Sequence, residues 1–106
     1  MVRVNVNSGI CGFNTEIKVK SEDMQKAVIE IKTECPNLKP MEHEVNEVDG
    51  FGECFSRIGT SPIYETARKY CKHPACPVPI AIIKGIEVAC GLALPKDVTI
   101  KISKTD

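Results

Sequence analysis

Residues 71–79 read Cys71-Lys72-His73-Pro74-Ala75-Cys76-Pro77-Val78-Pro79, and the apolar run Ile80 to Leu92 follows at once. Two thiols and an imidazole thus stand directly before a predicted helix. The first turn of a helix leaves N–H groups without intrahelical partners and carries the positive end of the dipole. A thiol at that position is favoured as thiolate, the form that attacks electrophiles and binds soft metals. Cys76 is therefore expected to be the most reactive thiol. Four further cysteines, Cys11, Cys35, Cys54 and Cys90, complete a set of six.

Two kinds of chemistry fit these residues. In the first, Cys71 and Cys76 form half of a thiolate metal site, with His73 between them as an additional candidate ligand. A complete zinc or iron–sulfur site needs about four ligands. Cys11 and Cys35 are the natural remaining donors, because each is expected at the end of an element where a loop can adjust. Cys54 and Cys90 fall in helical contexts and read as buried core thiols. In the second, Cys76 acts alone as a nucleophile. A third reading has no chemistry at all, with the chain an interaction module whose thiols only fill space.

The elements that must position these residues follow from periodicity. Val2, Val4 and Val6 alternate with polar residues over 2–7, and Ile17 and Val19 do so over 15–20, which predicts a hairpin with Cys11 at its glycine-containing tip. Ser21 as N-cap, with Met24, Ala27, Val28 and Ile31 at helical spacing, predicts a helix over Glu22–Glu34, with Cys35 just beyond it and Pro36 as its stop. Met41 to Val48 reads as a strand with Met41, His43 and Val45 on one face. Glu53 to Ile58 reads as a short helical turn. Ser61-Pro62 opens a helix that ends at Cys71. The next helix spans Pro79 to Cys90, with Gly91 as its C-cap. Val98, Ile100 and Ile102 alternate in a last strand.

This order predicts a single α+β domain: a two-layer sandwich with a mixed sheet of about four strands and helices on one face. Following the chain from end to end of that sheet brings Cys11, Cys35, Cys71 and Cys76 to the same end.

Fourteen basic and fourteen acidic side chains cancel, so no charge asymmetry argues for nucleic acid or an anionic membrane surface. No stretch approaches membrane-spanning length, and residues 1–6 alternate rather than forming the apolar core of a signal peptide. The expected compartment is the cytoplasm, where thiols are reduced or metal-bound. A protein partner is compatible with the composition, and the oligomeric state stays open. No phosphate-binding glycine loop, Gly-x-Ser-x-Gly or His-Glu-x-x-His is present, so the expectation is against a stand-alone enzyme.

The segment Cys76-Pro77-Val78-Pro79, with its apolar helix and the strand expected at Val98 to Ile102, resembles the TusA-like (SirA-type) sulfur-carrier proteins. The resemblance covers residues 76–103 and implies that Cys76 carries a persulfide sulfur, with Pro77 and Pro79 as helix-start residues. It departs from that family in placing the Cys-Pro-x-Pro late in the chain rather than after the first strand. As a whole, the chain resembles small uncharacterised cysteine-containing proteins of anaerobic prokaryotes.

Overall fold

A computed structural model describes residues 1–106. In chain order the elements are β1 (Val2–Asn7), β2 (Asn14–Lys20), β3 (Lys26–Thr33), α1 (Met41–Glu44), β4 (Glu47–Asp49), α2 (Gly50–Phe55), α3 (Pro62–Tyr70) and α4 (Val78–Ala89). The strands lie in the order β1-β2-β3-β4. Every ladder is antiparallel, so the sheet expected to be mixed has a single sense of pairing. The fold is α+β, with the helices against one face of a four-stranded sheet.

The hairpin forms as its alternation predicts, with Val2 opposite Val19 and Asn7 opposite Asn14. Gly9 and Gly12 both adopt positive φ, a conformation that side chains with a Cβ rarely take. The Asn7 side chain accepts from the Gly9 N–H at 2.9 Å and so fixes the turn.

The helix expected over Glu22–Glu34 is instead strand β3. Ala27, Ile29, Ile31 and Thr33 are buried, whereas Lys26, Val28, Glu30 and Lys32 face solvent, a period of two. The supposed helical stripe fails at Val28 and Met24, which are 51% and 61% exposed. Ser21 caps no helix. Asp23 instead accepts from the N–H groups of Gln25 and Lys26, both at 2.9 Å, and turns the chain from β2 into β3.

Residues 41–48 also differ from the expected strand. A single helical turn, α1, precedes the short β4. Met41 and Val45 are both buried, as expected, but His43 is exposed. A spacing of four puts two residues on one face of a strand and of a helix alike. The third member of the pattern, His43, distinguishes them. The last strand, expected at Val98 to Ile102, pairs with nothing, and residues 93–106 are exposed.

The remaining helices follow their end signals. Asp49 caps α2 by accepting from the Gly52 N–H at 3.1 Å, and this helix starts and ends earlier than the expected Glu53–Ile58. Ser61 caps α3 just before Pro62. Gly91, at φ +74°, follows the end of α4. Helix α4 lies across β1 and β2, burying Val78, Pro79, Ala81, Ile82, Gly85 and Ile86. A Cβ on Gly85 would stand 3.0 Å from methyls of both Val4 and Val19, so the missing side chain sets the approach of helix to sheet.

Glu53 ties α2 to α3 from a buried position, accepting from the Ile63 N–H at 3.1 Å. Burial, the largest influence, raises its carboxyl above the ordinary value of 4.5, and the Ser61 and Ile63 bonds offset part of that effect. Folding therefore favours the protonated form, and stability should fall as pH rises from the ordinary carboxylate range through the folded value. Denaturant midpoints across mildly acidic to neutral pH should decline for the wild type and decline less for Glu53→Gln. Equal slopes would exclude Glu53 as the source. Asp23, Glu42 and Glu44 act in the opposite direction. Backbone N–H bonds to Asp23, the Thr33 N–H on Glu42 and the Tyr70 hydroxyl on Glu44 lower these carboxyls, so their contributions are lost as pH falls.

Candidate thiol centre

The site lies at the end of the sheet that carries the β1–β2 turn. β1 runs toward this end and β2 away from it, and β3, antiparallel to β2, returns to it. Cys11 is exposed at the hairpin tip, and Cys35 is half-buried just past β3. These two segments are joined directly. The Asn14 N–H donates to the Glu34 carboxylate at 2.8 Å, and the Glu34 N–H donates to the Asn14 carbonyl at 2.9 Å. The Cys35 N–H donates to Thr33 Oγ1 at 3.1 Å. That hydroxyl in turn shares a buried 2.7 Å bond with Thr15.

Cys71 arrives from the other layer. It is the C-cap of α3, and its N–H donates to the Ala67 carbonyl at 2.7 Å. The end of α3 is held to α1 by the Tyr70 hydroxyl, which donates to the Glu44 carboxylate, and by Lys69, 3.3 Å from the same carboxylate. Lys72 to Ala75 then form a short bend, and Cys76 stands just ahead of Pro77, the N-cap of α4. No side chain caps that helix.

Cys11, Cys35, Cys71 and Cys76 all line one recess of about 30 Å³, together with Ser8, Asn37, Leu38, Lys72 and His73. The space suits a single ion or a water-sized occupant. No carboxylate lines it, and Lys72 and His73 form part of its wall. Burial, the largest cause, pushes the Cys71 thiol up to about 12, with hydrogen-bonded Cys76 and nearby Cys35 adding to it. A neutral Cys71 can donate its proton to a neighbouring sulfur. All six cysteines are free thiols. As the side chains stand, no three His, Cys, Asp or Glu groups are assembled to hold a metal ion.

The other two cysteines lie elsewhere. Cys90 is buried against Gly50 at the opposite end of the sheet. Cys54 is half-buried, and burial, followed by the charge of Glu87, raises its thiol to about 11. Ser8, Asn37 and Lys72 line the recess without any signal in the sequence to mark them. Glu44 and Tyr70, which hold the end of α3, pair across 26 residues, and no local pattern joins them.

No helix is long and apolar enough to cross a membrane. No curated protein and no solved structure matches the chain. A family model matches residues 2–102, and the chain belongs to that family, a family of unknown function (DUF6951).

Proposed function

We propose that this is a small thiolate metal-binding protein of the reducing cytoplasm, its centre drawn from Cys11, Cys35, Cys71 and Cys76 and taking zinc, which the recess suits as a single ion, or, with the recess opened, an iron–sulfur cluster. The observation that carries the reading is the meeting of four cysteines, from three separate stretches of chain, around one recess. The donor set is soft and free of carboxylate, which suits zinc or iron–sulfur rather than calcium or magnesium. Four thiolates around one divalent ion leave net negative charge, and the Lys72 ammonium at the recess offsets part of it. Loading requires the sulfurs to close in from their present positions. Cys11 sits on an exposed two-glycine turn, and Cys35 and Cys71 sit just beyond the ends of β3 and α3. Closed four-thiolate coordination leaves no open position for substrate. The role is then structural, sensory or electron-carrying rather than that of a stand-alone enzyme.

Protein purified without exposure to air should carry metal in stoichiometric amount, read by elemental analysis and the visible spectrum. Cys71→Ser and Cys35→Ser should lose it, whereas Cys54→Ser should keep it. Metal-free protein that also fails to take up zinc or reconstituted iron and sulfide would end this reading.

A second reading is favoured by the uncapped start of α4, next to Cys76. The Cys76 thiolate attacks the outer sulfur of a persulfide donor. The donor leaves as its own thiolate, and Cys76 becomes the persulfide. Cys76→Ser should then abolish sulfur acceptance while the fold persists. The interaction-module reading would gain if every Cys→Ser variant bound neither metal nor sulfur and kept its stability.

A further inference from the structure

The sheet has two unlike edges. β4, at one side, is three residues long and carries Glu47 and Asp49, features that discourage further pairing. β1, at the other, is six residues long without proline, and its one charged residue, Arg3, lies 3.9 Å from Glu16 on β2. The backbone orientation of β1 follows from its partners. The Ser8 N–H donates to the Phe13 carbonyl, and the Asn14 N–H is taken by Glu34 on the β3 side. Bonded pairs alternate in an antiparallel ladder. Val2, Val4 and Val6 therefore bond to β2, while the N–H and C=O groups of Arg3, Asn5 and Asn7 point outward with no strand to meet them.

The chain also holds a strand-like sequence outside the sheet. Val98, Ile100 and Ile102 alternate with Thr99, Lys101 and Ser103 and are 59%, 72% and 92% exposed. Six residues of strand span about 20 Å, the length of β1. On β1, Val2, Val4 and Val6 are only half-buried on the helix-bearing face. An added strand with its apolar residues on that face would complete the burial of both.

The segment does not turn back to its own β1: residues 93–106 are exposed and pair with no strand. Cys90 packs on Gly50, and Gly91 lies beside Met24, so α4 ends beside the start of β3 and the end of β4. β1 is the far edge. Beyond this point the segment leaves the globule, and the molecule measures 49 × 28 × 25 Å.

We infer that residues 98–103 form an arm that adds as a fifth strand to the β1 edge of a second copy of this chain. Reciprocal exchange about a two-fold axis closes the assembly as a dimer and leaves no β1 edge bare. The thiol centre takes no part in it.

Sedimentation of the full chain over a concentration series, with reductant present, tests the inference. The expected result is a dimer. Asn5→Pro removes an outward N–H without touching the bonds to β2, and it should give a monomer with an unchanged far-UV spectrum. Ile100→Pro and truncation after Leu94 alter residues outside the core, so folding should be preserved, and each should also give a monomer. Mixing Asn5→Pro, which keeps its arm, with the truncated chain, which keeps its edge, should restore a one-armed heterodimer. A full chain that stays monomeric at every concentration overturns the inference. So does a dimer that survives both Asn5→Pro and truncation. A dimer lost on truncation but kept in Asn5→Pro, and broken by Phe51→Ser with Phe55→Ser, would place the arm on the exposed aromatic stack of α2 instead and overturn the β1 assignment.

Discussion

Truncating Ile82 to alanine should lower the unfolding free energy by about 2–5 kcal/mol. Ile82 has no exposed surface, and neither has Ile86 one turn later. Both belong to the cluster that joins α4 to Ile17, Val19 and Ile29 on the sheet. Removing the side chain forfeits its transfer free energy and leaves a cavity. The cavity can collapse little, because Gly85 already brings α4 as near the sheet as Val4 and Val19 allow. Ile80, on the same helix but 51% exposed, is the internal control. Its alanine variant should cost well under about 1 kcal/mol, the usual range away from the core. Urea midpoints for the two variants decide the matter. Equal losses would mean that α4 does not pack through its Ile82–Ile86 face.

The second large effect belongs to the proposed metal centre. A ligand that binds only the folded state stabilises it by about 2.7 kcal/mol at a hundred times its dissociation constant. For a domain of this size that corresponds to a rise in melting temperature of about 10–20 °C. Zinc added anaerobically to reduced, metal-free protein should produce a shift of that order, and a chelator should reverse it. Cys71→Ser should remove most of the shift. Cys54→Ser should retain it, because Cys54 lies outside the recess. A shift of similar size in both variants would show zinc binding elsewhere, and no shift in the wild type would remove the metal reading.

The cysteine arrangement illustrates what can be read in advance from direction alone. The stretch ending at Thr33 was expected as a helix and is a strand, and the stretch from Met41 was expected as a strand and is a helical turn followed by β4. Either element, placed between a β2 that leaves the hairpin end and a short connection, must travel back to that end. The expected meeting of Cys11, Cys35, Cys71 and Cys76 therefore survives two wrong element types. The last strand had no such protection. Its alternation is genuine, but residues 98–102 pair with no strand of their own chain.

What the sequence determined by itself is the set of features written in near neighbours: the β1–β2 hairpin from strict alternation, the start of α3 from Ser61-Pro62, and α4 with Gly91 beyond its end. Each is stabilised within a few residues by a turn, a cap or a continuous apolar surface. Tertiary structure alone decided residues 26–33, because Ala27 and Ile31 are four apart and share a face in either conformation. The choice of strand rests on a ladder to β2 between residues as distant as Thr15 and Thr33. It also decided how close the thiols come. That depends on Tyr70 and Lys69 reaching Glu44 on α1 and on α4 lying flat on the sheet, contacts between surfaces that exist only once both layers have folded.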